Sequence, residues 1–298
     1  MPSGFYNNLL KDVSLYLPNE LINFLPRTYK KIGHIAFVKF DKNLLTYQKE
    51  VAETILKIVS SSGISSIAEI QDEIKGIFRT PNIKIIAGKI ETETIHKELG
   101  CKFIINTSDL MFSVGNHGER KRIIDWVNAL RTKEKIRDNI HVLDMFACVG
   151  NLSLPLAVNV SDISVIAIEL NSNAIFHLRK TIKINNFPLK TSYTIIEGDN
   201  REKSPQNWAD IVLMGYFKID QNHLRTALKA LRGEKGWLLI HDVVKSSEKS
   251  HAIHLLFNLL NKNSFSNYSL KKLNSYKVKS VAPYTIHWVF ECMITIEK

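Results

Sequence analysis

Residues 142–150, Val-Leu-Asp-Met-Phe-Ala-Cys-Val-Gly, followed 25 positions after Asp144 by Glu169 in Ile-Ala-Ile-Glu-Leu, set the tightest limit on the fold. An apolar run ends in an acid and a small-residue turn. A helix follows, then a second apolar run that again ends in an acid. That is the first βαβ unit of a nucleoside-binding sheet. A carboxylate at the end of the second strand suits a ribose diol, because it accepts two hydroxyl hydrogen bonds together. Dinucleotide-binding sheets share this acid but carry G-x-G-x-x-G in the turn to admit a pyrophosphate. Here the turn is Ala147-Cys148-Val149-Gly150-Asn151-Leu152, with one glycine, and Asp144 precedes it. An acid beside the turn repels phosphate and suits a cationic amino group. S-adenosylmethionine, with a ribose, an ammonium and a sulfonium, fits these residues better than NAD.

From His141 onward strands and helices alternate. Candidate strands are 141–146, 164–169, 192–197, 210–214, 236–243, 268–278 and 285–296, with helical spacing at 171–185, 221–232 and 248–261. Repeated βα units imply a parallel, doubly wound sheet. The last two strands have a short link, which requires antiparallel pairing. The expected fold is therefore α/β, a class I methyltransferase-like doubly wound seven-stranded sheet. A small α+β domain precedes it: a strand at 34–40, a helix at 46–61, and short β-like runs at 64–70, 76–79, 83–88 and 102–106. Expected boundaries are 1–30 (an N-terminal segment broken by three prolines), 31–112 for the small domain and 113–298 for the catalytic domain, whose opening helix is marked by Ile123, Ile124, Val127 and Leu130.

Composition excludes several alternatives. Cys101, Cys148 and Cys292 are odd in number and far apart, which rules out a disulfide framework and any C-x-x-C zinc site. No metal is expected, and no Gly-Lys-Ser/Thr loop supports nucleotide triphosphate hydrolysis. There is no N-terminal apolar targeting core and no run of 18 apolar residues, so no membrane role and a soluble, cytoplasmic protein are expected. The net charge of +11 points to a polyanion, although a lysine-rich proteome gives the same balance.

Four strand ends carry candidate ligand groups: Asp144, Glu169, Asp199-Asn200 and Met214-Gly215-Tyr216. The Asp199 carboxylate and Asn200 amide suit an adenine edge, or cap a helix. Gly215 permits close approach of a ligand or base, or is an ordinary turn. A second group, Phe112-Ser113-Val114-Gly115-Asn116-His117-Gly118-Glu119-Arg120, either caps the following helix or places the Ser113 hydroxyl and Arg120 guanidinium on a ligand carboxylate. Arg120, Lys121, Arg122, Arg131, Lys133, Lys135 and Arg137, with Lys271, Lys272, Lys277 and Lys279, read as solvated faces or as RNA phosphate contacts.

Three strings carry a resemblance. Asp-Met-Phe-Ala-Cys-Val-Gly-Asn-Leu-Ser-Leu-Pro155, Phe-Ser-Val-Gly-Asn-His-Gly-Glu-Arg120 and Val-Lys-Ser-Val-Ala-Pro283 with His287 are similar to the archaeal and eukaryotic tRNA position-37 enzymes. That group contains guanine-N1 methyltransferases and wybutosine-pathway aminocarboxypropyltransferases. Gly76-Ile-Phe-Arg79 through Ala87-Gly88 and Thr94-Ile-His96-Lys-Glu98-Leu-Gly100 resemble their small N-terminal domain. The likeness runs over roughly residues 18 to 296. Cys148 stands where the family usually has glycine, and Asn151 replaces an aromatic residue or proline. Met214-Gly215-Tyr216 and Phe-Ser-x-Gly-Asn resemble the aminocarboxypropyltransferase branch; the methyltransferases carry Asn-Leu/Pro-Pro and Phe-Ser-Pro-Arg there.

The resemblance implies transfer of the 3-amino-3-carboxypropyl group of S-adenosylmethionine to a tricyclic wyosine precursor at position 37 of tRNA(Phe), with the anticodon loop as partner and methylthioadenosine released. It implies that Ser113, Arg120, Glu169, Asp199 and Asn200 hold the cofactor. A tRNA guanine-N1 methyltransferase and an RNA-binding protein with an inactive domain, the latter suggested by Cys148, are the rival readings.

Overall fold

Alternation of apolar residues decides where each element lies. The computed structural model describes residues 4–71, 80–133, 139–245, 247–248 and 250–297. The β-run expected at 76–79, the Gly76–Arg79 string, Lys135 and Arg137 fall outside the described residues. The chain divides into two units: Met1–Lys97 with Lys102–Val114, and Glu98–Cys101 with Gly115–Lys298.

In the first unit α1 (Phe5–Val13) buries Phe5, Leu9 and Val13, one face at four-residue spacing. The sheet contains β1 (Lys30–Ile32), β2 (Ile35–Phe37), β3 (Ser66–Ile70) and β4 (Ile83–Gly88) in that order. β2 and β3 are parallel, and α2 (Gln48–Val59) makes the crossover between them. Val51 and Ile55 of α2 meet Leu9, Ala36 and Ile67 in one core. β5 (Glu93–Glu98) and β6 (Cys101–Asn106) form a two-stranded ribbon. Its tip, Glu98–Cys101, groups with the second unit. β5 is absent from the sequence reading for a physical reason: Glu-Thr-Ile-His-Lys-Glu buries only Thr94, so no apolar alternation marks it.

The second unit runs α3 (His117–Lys133), β7 (Ile140–Asp144), α4 (Ser153–Asn159), β8 (Ile163–Glu169), α5 (Ser172–Lys183), β9 (Ser192–Glu197), α6 (Asn200–Lys203), β10 (Ile211–Met214), α7 (Gln221–Ala230), β11 (Lys235–Lys245), α8 (His251–Leu260), β12 (Tyr268–Ala282) and β13 (Thr285–Ile296). These strands form one seven-stranded sheet in the order β12-β13-β11-β10-β7-β8-β9. β7 to β11 are mutually parallel where they pair, and β13 runs antiparallel to both β11 and β12. The expected doubly wound sheet with a reversed final hairpin is the observed one.

Each central strand feeds two cores. Leu143, Val212, Met214, Leu238 and Ile240 face α7 and α8; Val142, Ile211, Leu213, Trp237 and Leu239 face α3, α4 and α5. Burial on both faces explains why these strands read as continuous apolar runs. β7 sits between β8 and β10, so the chain winds away from it in both directions. The carboxyl ends of β7 and β10 are therefore the point where the strand order reverses, where ligands bind in sheets of this kind.

Candidate nucleoside-binding site at the strand ends

Asp144 ends β7 and is fully buried. Its Oδ1 accepts the Phe146 N–H at 3.2 Å and its Oδ2 accepts the Ser153 hydroxyl at 2.7 Å. The Ser153 hydroxyl also lies 2.8 Å from that of Tyr193. Burial pushes the Asp144 carboxyl up to about 6, against the lowering effect of the Ser153 hydrogen bond, with the Glu169 charge adding to the rise. The sign of the consequence follows directly. The folded chain keeps this proton where an unfolded chain has lost it, so stability falls as pH rises from 3.8 to about 6 and is constant above. The unfolding free energies of ligand-free wild type and Asp144→Asn are expected to diverge through that window and run parallel above it. A pH-independent difference would contradict the assignment.

Glu169 ends β8, half-buried. Its Oε2 accepts the Cys148 N–H at 2.7 Å and its Oε1 accepts the Asn171 N–H at 2.8 Å. Burial raises this carboxyl, and the Asn171 and Cys148 N–H groups oppose the rise. The acceptor capacity that remains on the carboxylate suits the hydroxyls of a ribose.

Cys148 sits at φ +50°, in the left-handed region. That conformation costs an L-residue roughly 1–2 kcal/mol and glycine nothing comparable, which gives the physical reason for a glycine at this turn. It also delivers the Cys148 N–H to Glu169. Burial, with the Glu169 charge behind it, pushes the thiol of the half-buried Cys148 up to about 12, so it stays protonated near neutral pH. Cys148→Gly is expected to retain ligand affinity and stability. Cys148→Val places a β-branched residue at positive φ and is expected to lose about 1–3 kcal/mol, seen as a lower melting temperature. Equal stability of the two variants would remove the conformational explanation.

Asn200 is buried; its Nδ2 donates to the Met145 carbonyl at 2.8 Å, while Oδ1 has no partner among the described residues. A buried acceptor in that state costs about 1–3 kcal/mol, which an exocyclic amino group would relieve. Asp199 caps α6 by accepting the Arg201 N–H at 2.9 Å, so its capping role is present. The Arg201 guanidinium pairs with its carboxylate and holds it below the usual range. A Cβ on Gly215 would come 3.0 Å from Leu152 Cδ1, so the glycine lets the β10 exit pack on the cofactor turn. Beyond it Tyr216 stacks on Phe146, ring centroids 5.1 Å apart and 21° between planes.

Arg120 is 1% exposed, its guanidinium paired with Glu98: Nε meets Oε1, and Nη2 donates to Oε2 at 2.9 Å. Glu98 escapes spacing arguments because it lies 22 positions upstream, and it stood in the sequence only within a resembling string. Ser113 is half-buried near the end of the first unit. Much of the basic stretch is not a phosphate-binding face. Arg122 makes two 2.7 Å bonds to Glu119, also pairs with Glu291, and lies over Tyr276 at 4.4 Å; Arg131 donates to the Ser161 and Asp162 carbonyls. Lys271, Lys272 and Lys277 on the edge strand β12 are exposed. Among the described residues no helix is long and apolar enough to cross a membrane, and no group of three or more His, Cys, Asp or Glu is placed to hold a metal ion.

A reversed hairpin closing a parallel sheet, with acids at the ends of β7 and β8 and an unpartnered Asn200 oxygen beyond β9, defines a class I methyltransferase-like fold fitted to S-adenosylmethionine. The chain belongs to the TRM5/TYW2 family: residues 94–264 match the TRM5/TYW2 methyltransferase domain and residues 8–92 the TYW2 N-terminal domain. It is 34% identical to a tRNA(Phe) (4-demethylwyosine(37)-C(7)) aminocarboxypropyltransferase of Methanocaldococcus jannaschii, over 86% of this chain and 92% of that one. The enzyme of the same name from Pyrococcus horikoshii is 28% identical over 98% of both chains. The crystal structure of P. horikoshii TYW2 in complex with MeSAdo superposes with a TM-score of 0.78 at 25% identity, covering 97% of this chain and 99% of that one.

Proposed function

We infer that this chain transfers the 3-amino-3-carboxypropyl group of S-adenosylmethionine to C7 of 4-demethylwyosine at position 37 of tRNA(Phe), releasing methylthioadenosine. The carrying observation is the match, over nearly the whole of both units, to curated archaeal enzymes of that name. Met214-Gly215-Tyr216 at the β10 exit points the same way.

S-adenosylmethionine supplies a sulfonium with three electrophilic carbons, and the carbon aimed at the acceptor sets the product. The protein's task is therefore positioning, for which about 7–11 kcal/mol is available in favourable intramolecular cases. Glu169 takes the ribose hydroxyls, while Asn200 Oδ1, with Asp199 beside it, takes the adenine amino group. Asp144 lends negative charge to the amino-acid end, and Gly215 keeps the β10 exit close. Ser113 and Arg120 are assigned to the carboxylate by resemblance, Glu98 fixing the Arg120 fork. The exposed lysines of β12 favour contact with the tRNA backbone, and the anticodon loop is the part to be engaged. A tRNA substrate favours the cytoplasm as the place of work.

Acceptor choice provides the test. With S-adenosylmethionine labelled in its carboxyl carbon, tRNA carrying 4-demethylwyosine is expected to become labelled, and the same tRNA with unmodified guanosine at position 37 is not. Labelling of both alike would overturn the acceptor assignment.

A further inference from the structure

Two buried histidines stand at the carboxyl edge of the large sheet, on the two strands that follow β10 in the sheet order. His241 follows Ile240, the residue paired with Met214 at the end of β10, and His287 lies on the neighbouring β13, opposite Val243. They are 2% and 0% exposed. His241 Nδ1 and His287 Nε2 are 2.9 Å apart, and the outer nitrogens, His241 Nε2 and His287 Nδ1, have no hydrogen-bond partner among the described residues. Burial lowers both imidazoles, His287 to about 4, so both are neutral near pH 7.

Two neutral imidazoles share one N–H between their facing nitrogens, which leaves one outer nitrogen protonated and the other bare. Glu119 and Arg122 both bear on the choice: the Glu119 carboxylate lies 4.0 Å from His241 Nε2, and Arg122, paired with it, adds a positive charge that disfavours an imidazolium at His241. With the carboxylate oxygen the near group, a neutral His241 carries its proton on Nε2, so His287 donates through Nε2 and keeps a bare Nδ1. Phe217, on the β10 exit loop, lies against the His287 ring at 4.8 Å and 69°.

An aromatic ring carbon that gains a substituent and stays aromatic must lose its hydrogen as a proton. We propose that His287 is the catalytic residue that accepts this proton, on Nδ1, with His241 and Glu119 as its positioning groups. The proposal rests on the function inferred above. The acceptor carbon's electron pair forms the bond to the γ-carbon, and the γ-carbon–sulfur pair leaves with sulfur as a neutral thioether. The C–H pair returns to the ring as the proton passes to His287. The imidazolium keeps its Nε2–H on His241, whose Nε2–H faces Glu119. A weak base suffices, because the cationic ring formed by alkylation is strongly acidic. Because His287 Nδ1 is buried, the half-buried Phe217 ring against it must move aside for the planar base.

Two measurements on the full chain test this. Nitrogen-15 spectra of the free protein are expected to show His287 protonated at Nε2 and bare at Nδ1; a proton on Nδ1 would overturn the proposal. In single turnover on tRNA carrying the acceptor base, His287→Ala is expected to slow formation of the neutral, deprotonated aminocarboxypropyl product by about 100-fold or more, because the proton leaves after the carbon–sulfur bond has broken. Cofactor and tRNA affinities should be retained, free imidazole should restore part of the rate, and deuterium on the acceptor carbon should now slow the reaction. His287→Gln serves if the alanine variant does not fold. An unchanged rate, or a loss that follows lost affinity with no rescue by imidazole, would overturn it. If wild type itself makes S-adenosylhomocysteine, the inferred function fails; if wild type makes methylthioadenosine and the variant forms the neutral base product at the wild-type rate, only the role of His287 fails.

Discussion

Glu98→Ala is expected to be among the most damaging single substitutions in the chain, lowering the unfolding free energy by about 3–5 kcal/mol. The reason is burial. Arg120 is 1% exposed and its guanidinium rests on the Glu98 carboxylate, itself buried to 6%. Removing the acid takes the carboxylate bonded by both Nε and Nη2 away from a charge that cannot reach water and cannot be neutralised. Replacing both partners with methionine removes the buried charge along with the pair, so Glu98→Met with Arg120→Met is expected to recover much of the loss. The double variant should still bind S-adenosylmethionine poorly if Arg120 serves the cofactor carboxylate. Denaturant unfolding and cofactor titration read the two effects separately. A Glu98→Ala protein as stable as wild type would show that the pair does not hold this part of the fold.

Glu169→Ala is the second large effect, and it falls on binding. The carboxylate fixes the cofactor turn through the Cys148 N–H at 2.7 Å and its own helix entry through the Asn171 N–H at 2.8 Å. Hydrogen bonds to a charged group are worth about 1.5–3 kcal/mol each. Losing the proposed ribose contacts and loosening the turn is therefore expected to weaken S-adenosylmethionine by about 100-fold or more. Glu169→Gln, which keeps the shape and one good acceptor, should lose less. Unchanged affinity in the alanine variant would contradict the ribose role.

The large sheet is legible in the sequence because physics forces its pattern. β7, β10 and β11 are covered on both faces, so they appear as unbroken apolar runs, and the short link between β12 and β13 admits only antiparallel pairing. Asp144 and Glu169 are legible as acids at strand ends. Their immediate partners are not: backbone N–H groups carry no sequence signature, and Ser153 and Tyr193 meet only through the fold, α4 packing on β8 and β8 pairing with β9. Arg120 is legible as a candidate cation, whereas its commitment to Glu98 depends on a ribbon whose first strand shows no apolar alternation. Arg122, read as part of a basic surface, turns inward because Glu119 and Glu291 meet it there. Cys148 is the instructive case. Its identity argued against a working cofactor turn, but its backbone adopts the left-handed geometry that glycine serves, and its N–H reaches Glu169.

The by-product tests the inferred reaction most directly. After incubation with S-adenosylmethionine and tRNA(Phe) carrying 4-demethylwyosine, chromatography of the small molecules is expected to show methylthioadenosine formed in step with carboxypropyl label on the tRNA. S-adenosylhomocysteine in its place, with N1-methylguanosine in the tRNA, would contradict it.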